Sequence, residues 1–383
     1  MRIIYFTTAL DKKEYNEYRK LWKISPNPSN QNFHNKLIRS LAINNQVDVI
    51  SIRPFSKKLV SLKRLKKKEE IEDNITWHYL GIKRGKVNRF FSIRNQALQI
   101  VKSIKEDALI LTDTINPNVL YNATRVGKIR HLKVIGICTD SPSNITNTSR
   151  SYTLLILRLA KDLSGYISLT NGLNDLFNEN NKPSLIIEGL VDQNEKYNNK
   201  NLYGRYLFFG GALLPRYGVY NLIEAFKKLS KTDLKLLICG HHCDETRLKN
   251  AIKDNPNIIY LGTLDVDEVM DLESEAVANI NPRPFSEDLD RYSIPSKTLE
   301  YFNSGRPTIS VKNSKLMKSF SDCAIWLKSG DADSLYNGIN LLLDLTPENQ
   351  IEIAYKAKEQ VYKLYSLVAV NKKLNDFLST FID

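Results

Sequence analysis

Short apolar runs, rich in β-branched residues, alternate along this chain with amphipathic stretches, and that alternation leaves few folds open. The runs fall at 3–7, 47–52, 109–111, 133–138, 166–168 and 184–187. Past a polar gap they resume at 206–209, 234–239, 258–261, 278–280, 308–311 and 324–327. Helical periodicity lies between them, for example at 33–43, 219–230, 267–274, 297–303 and 333–345. Strands alternating with helices signify βαβ units and parallel sheets. Runs such as Lys235-Leu236-Leu237-Ile238-Cys239 are apolar at consecutive positions, so these strands are expected to be covered on both faces.

The Asn-rich segment 192–201 has almost no apolar anchor and reads as a linker. It divides a chain of 383 residues, long for one core, into two α/β halves. The expected domains are 1–195 and 202–365, with an amphipathic helix at 366–383 able to pack back on the first half. Two doubly wound domains facing each other make a central cleft at the carboxyl ends of their strands, where such sheets bind ligands.

Composition narrows the setting. With 42% hydrophobic and 25% charged residues the chain is an ordinary globular one. No signal-peptide pattern opens it, and no apolar run approaches the roughly 18 residues of a spanning helix, so a cytoplasmic protein is expected. Cys138, Cys239 and Cys323 lie in or beside apolar runs, as buried reduced thiols do. The net charge of +13 calls for an anionic partner. The densest basic run, 57–68, spaces Leu59, Leu62 and Leu65 as on a helix. It reads either as a helix lying on an anionic membrane surface or as a solvated face. No nucleic-acid-binding signature accompanies it, and nucleic acid is not expected as a partner.

Two constellations follow strands. Gly210-Gly211 leads through Arg216-Tyr217-Gly218 into a helix, where glycines allow close backbone approach and Arg216 supplies a cation for phosphate. Taken alone, a Gly-Gly after a strand is more often a tight turn than a phosphate site. Downstream, Asn281-Pro282-Arg283-Pro284 ends a strand, and Tyr292-Ser293-Ile294-Pro295-Ser296-Lys297-Thr298-Leu299-Glu300 follows an acidic loop. Ser296 can cap a helix there, with its first amides open to phosphate, and Glu300 lies one turn from Lys297. A carboxylate suits ribose hydroxyls and a lysine suits diphosphate; the plain alternative is a routine surface pair.

These stretches stand in a recognisable order. Segment 183–192, then Gly210-Gly211 to Gly218, Leu222 to Phe226, Leu237-Ile238-Cys239-Gly240, Asn257 to Gly262, and Asn281 to Pro307 together resemble the family-4 retaining glycosyltransferases of GT-B fold, over roughly 165–330. The resemblance implies an α/β GT-B architecture of two Rossmann-like domains. It further implies transfer of a sugar from a nucleotide-diphosphate sugar, UDP-linked, to an acceptor hydroxyl with retention. It places Arg216 on the donor diphosphate and Glu300 on the ribose. Thr263 and Leu264 fall where the base is read, with Gly240 beside them. Gly210, Gly211, Arg283, Tyr292, Ser293, Ile294, Ser296 and Lys297 complete the expected donor site. Arg216 and Lys297 would stabilise the departing diphosphate, with no metal and no cofactor.

The chain departs from the family pattern in three places. Gly211 stands where many members have arginine, and Tyr292 replaces the first glutamate of the E-x7-E element, as in members with a Tyr-Ser-x-Pro-Ser-Lys element. In the first half, 25–34 replaces the usual glycine loop, and Asp140 after the fourth strand is the candidate carboxylate for catalysis, or simply a cap. The basic run suggests a lipid-linked glycan acceptor in bacterial cell-surface polysaccharide assembly, at the inner membrane face. A protein acceptor, and an inactive nucleotide- or partner-binding subunit, are the alternatives.

Some features are expected to be decoys. Cys239-Gly240-His241-His242-Cys243 offers zinc-type ligands without a second pair. Asp265-Val266-Asp267, Asp288-Leu289-Asp290 and Asp331-Ala332-Asp333 are expected to cap helices, and His34 to be an ordinary histidine.

Overall fold

The computed structural model describes residues 1–22, 27–54, 65–83, 85–105, 107–144, 149–195, 197–198, 202–230, 233–241 and 244–382. The chain forms two compact units. The first comprises 1–190, 291–294 and 367–383; the second comprises 191–290 and 295–366.

The first unit holds strands β1 (Arg2–Thr7), β2 (Gln46–Ser51), β3 (Lys68–Glu72), β4 (Ile75–Tyr79), β5 (Ala108–Asp113), β6 (Val134–Cys138), β7 (Gly165–Ser168) and β8 (Ser184–Ile186). Its helices are α1 (Lys12–Trp22), α2 (Pro28–Ala42), α3 (Lys86–Ser103), α4 (Pro117–Arg130), α5 (Arg150–Ala160) and α6 (Asn171–Phe177). The sheet order is β3-β4-β2-β1-β5-β6-β7-β8, parallel except at β3–β4. Along β1, Ile3 and Tyr5 enter one core while Ile4 and Phe6 enter the other, which is why the apolar run is unbroken. Helices begin where the sequence supplies a cap. Asn27 and Asn116 each precede a proline and accept first-turn amides, at 3.1 Å from Ser29 and 3.0 Å from Asn118.

The second unit holds β9 (Tyr206–Ala212), α7 (Val219–Lys227), β10 (Lys235–His241), α8 (Glu245–Ile252), β11 (Ile258–Tyr260), α9 (Val266–Glu275), β12 (Ala278–Asn281), α10 (Glu287–Tyr292), whose last two residues belong to the first unit, and α11 (Ser296–Ser304). Then come β13 (Thr308–Val311), α12 (Ser314–Phe320), β14 (Ile325–Leu327), α13 (Ala332–Asp344) and α14 (Pro347–Tyr365). The parallel order β11-β10-β9-β12-β13-β14 is again two-faced: Leu207 and Phe209 pack with α7, Tyr206 and Phe208 with Tyr301 and Leu272. The last helix, α15 (Leu367–Ser379), packs in the first unit, where Asn371 Nδ2 donates to the Ser40 carbonyl at 2.6 Å.

Two strands, β3 and β4, escape the sequence pattern. In β3, Lys68-Glu69-Glu70-Ile71-Glu72, only Ile71 is apolar, because this is the antiparallel edge strand and charge protects it from further pairing. The basic run at 57–68 needs correction here. Residues 57–64 lie outside the described set, but Leu65 bridges Ile82 and Lys68 opens β3, so the helical spacing does not extend through them. Lys68 Nζ instead lies 3.0 Å from both Glu14 and Glu70. Among the described residues no helix is long and apolar enough to cross a membrane.

Candidate functional site

The carboxyl ends of β9, β10 and β12 meet through glycines. Gly240 has φ +148°, and a Cβ there would stand 1.7 Å from the Gly211 carbonyl. Gly218, at φ +82°, likewise would meet the Pro282 carbonyl at 2.2 Å. The glycines therefore pack one strand end on the next, and Arg216 is carried on the 3-10 turn Pro215–Tyr217 between them. Gly240 N–H donates to Gly262 at 2.8 Å, and the Thr263 hydroxyl donates to the Gly240 carbonyl at 3.1 Å. Leu264 packs beside the core around Phe208 and Cys239.

The arginines differ. Arg216 is exposed, its guanidinium 5.1 Å from the Tyr217 ring centre. Arg283 is mostly buried and donates to Asp290 at 2.6 Å, while Asp290 also accepts from Ser286 N–H at 3.1 Å. Burial lowers the Arg283 pKa, with Asp290 opposing and Arg216 adding to the fall. Asp290 thus holds an arginine as well as the Ser286 amide that precedes α10, a second role beside the expected capping. Asp265 and Asp331 do cap, the former in a capping box with Glu268.

Lys297 and Glu300 stand on the first turn and a half of α11, with Lys297 Nζ 2.6 Å from Glu300 Oε2. The same ammonium lies 3.3 Å from Oε1 of Glu273, a buried residue of α9. Burial pushes the Glu273 carboxyl up to about 7, against the pull of Lys297. Burial alone would lower the Lys297 pKa, but Glu300 and Glu273 outweigh it and hold the ammonium charged. Behind them, Tyr301 is fully buried and its hydroxyl accepts from Gly210 N–H at 3.1 Å, tying α11 to the end of β9. Ser296 does not cap. Pro295 occupies the N-cap position and makes no side-chain cap, so Ser296 is already the first helical residue and the first-turn amides receive no side-chain cap.

Of the remaining expected residues, Tyr292, Ser293 and Ile294 belong to the first unit, whereas Ser296, Lys297 and Glu300 belong to the second. Tyr292 packs beside the first unit's core, and the Arg291 carbonyl accepts from Thr170 Oγ1 at 2.8 Å. Asp140 follows β6, and its Oδ1 accepts from Ser141 N–H at 2.7 Å. His34 is fully buried, with Nδ1 2.6 Å from the Tyr5 hydroxyl and Nε2 3.5 Å from Asp113. His242 and Cys243 lie outside the described residues, and among those described no group of three His, Cys, Asp or Glu is placed to hold a metal.

Sequence reasoning missed Glu273 and the role of Tyr301. Lys297 is 24 positions from Glu273, and only the packing of α9 and α11 brings them together. A carboxylate at a core position of an amphipathic helix was the one available signal.

Residues 191–360 match the family described as Glycosyl transferases group 1. No curated protein sequence matches significantly. Among solved structures, HepE from Anabaena, in complex with UDP and glucose, is similar at 14% identity and TM-score 0.66, covering 99% of this chain and 100% of that one. Sucrose-phosphate synthase from Thermosynechococcus elongatus is similar at 13% identity and TM-score 0.67, covering 99% of each chain. An alpha,alpha-trehalose-phosphate synthase (UDP-forming) from Burkholderia xenovorans, in complex with glucose-6-phosphate, reaches TM-score 0.69 at 9% identity, over 100% of both chains. Residues 191–360 are thus similar to the glycosyl transferases group 1 family, and the chain has the GT-B fold.

Proposed function

We propose that this chain is a metal-independent, retaining glycosyltransferase that moves a sugar from a UDP-sugar to an acceptor hydroxyl. The observation that carries this reading is the Lys297–Glu300 pair at the start of α11, within the domain that matches the family. Glu300 offers a carboxylate to ribose hydroxyls; Lys297, the exposed Arg216 and the first-turn amides of α11 face the diphosphate and stabilise it as it leaves. The amides around Thr263 and Leu264 read the base. UDP is the favoured nucleotide because the similar HepE structures hold UDP and UDP-glucose. Asp140 is assigned to the sugar or the acceptor.

The charge of +13 and the basic run at 57–68 favour a lipid-linked glycan acceptor at the inner face of the membrane, in cell-surface polysaccharide assembly. The test is a thermal-shift panel of UDP-, GDP- and dTDP-sugars on wild type and Glu300→Ala. One UDP-sugar should stabilise wild type, by about 2.7 kcal/mol at a hundredfold excess over Kd, and the shift should shrink in the variant. Equal shifts in both proteins would remove the assigned role of Glu300. Slow release of free UDP without acceptor separates an enzyme from a binding subunit, which would release none.

A further inference from the structure

Glu273 is nearly buried, its side chain 4% exposed, and its carboxylate meets Lys297 at 3.3 Å. The same ammonium is 2.6 Å from Glu300, itself partly open to solvent. Two carboxylates therefore share one half-buried cation, and of the two only Glu273 is shut away from water. The other ionisable groups facing Glu273 are Tyr301 of α11, Cys239 of β10, and Glu195 and Tyr197 of the segment leading to β9. Among the described residues in that set, Lys297 is the cation that supplies the countercharge.

We propose that binding of the donor diphosphate is coupled to proton uptake at Glu273, an inference that rests on Lys297 gripping that diphosphate. The diphosphate of a nucleotide-sugar carries two negative charges and competes with both carboxylates for a single ammonium. When Lys297 turns toward the phosphate oxygens, Glu273 keeps its burial and loses its countercharge. Its carboxylate then takes a proton from solvent; an O–H bond forms there and the buffer loses that proton. Glu300, partly exposed, is released to accept from the ribose hydroxyls. Burial already pushes the Glu273 carboxyl up to about 7, so the exchange falls within the neutral range.

Isothermal titration calorimetry of the full chain with UDP-glucose, at pH 7 in buffers of different ionisation enthalpy, tests this. UDP-glucose has no proton of its own to exchange near neutrality. Wild type should take up a fraction of a proton per ligand bound, and Kd should rise about fivefold from pH 6 to pH 8.5. Glu273→Gln should take up none and bind equally at both pH values. Binding to wild type without proton uptake overturns the proposal, as does undiminished uptake in Glu273→Gln. If that variant does not fold, the wild-type proton count decides alone. Failure of UDP-glucose, UDP-galactose and UDP-N-acetylglucosamine to bind at all overturns the donor reading itself, and this proposal with it.

Discussion

Both units are largely parallel sheets covered on two faces, yet they treat charge differently. In the first unit, buried charges are matched inside the fold. Arg53, 5% exposed, reaches Glu14 at 3.1 Å and the Leu80 carbonyl at 3.1 Å. Asp48 accepts from Arg2 at 2.7 Å and sits 2.9 Å from His78. In the second unit Arg283 and Asp290 are likewise a matched, mostly buried pair, but Lys297 is 32% exposed and divided between two carboxylates, and Arg216 lies open. Matched buried charges fix a structure, whereas partly open, unevenly shared ones can exchange a protein partner for a ligand.

The largest loss of stability is expected at the glycine seam. Gly240→Ala should cost about 4–5 kcal/mol, because the added Cβ overlaps the Gly211 carbonyl, and thermal denaturation should show a large fall in Tm. Glu14→Ala should cost about 3–5 kcal/mol by leaving Arg53 buried without its partner. It should leave the thermal shift given by a UDP-sugar unchanged, since the loss lies in the other unit; a lost shift would erase the distinction.

An effect on the order of 3 kcal/mol should appear with pH. The folded Glu273 carboxyl titrates at about 7, above its ordinary value of 4.5. The folded chain therefore holds a proton that the unfolded chain has lost, and this group's stabilisation falls as pH rises from about 4.5 to about 7. Glu273→Gln lacks that fall, so its Tm relative to wild type should climb across the same interval. Glu300→Ala should lower kcat/KM for the donor by about 100-fold, or about 3 kcal/mol at the transition state, with little change in Tm. The smallest effect is expected from Tyr301→Phe, about 1 kcal/mol of stability, as Gly210 N–H loses its partner.

Much of this was legible in the chain itself. Consecutive apolar residues such as Leu236-Leu237-Ile238 marked two-faced parallel strands, and the spacing of Lys297 and Glu300 put both on one side of a helix. Edge strand β3 was not legible, because its single apolar residue leaves no pattern to read. Nor was the failure of Ser296 to cap, since Pro295 starts the helix one residue earlier than side-chain chemistry suggested.

The sequence by itself determined the fold class, the glycines at the strand ends and the order of the motifs proposed to hold a donor, all of which depend on neighbours a few residues apart. Tertiary structure alone decided that Asp290 neutralises Arg283 and that Tyr292 to Ile294 pack with the first unit. It also decided that Glu273 shares Lys297 with Glu300. The physical reason is that a charge takes its partner from whatever packing places within a few ångströms, and separation along the chain does not specify that.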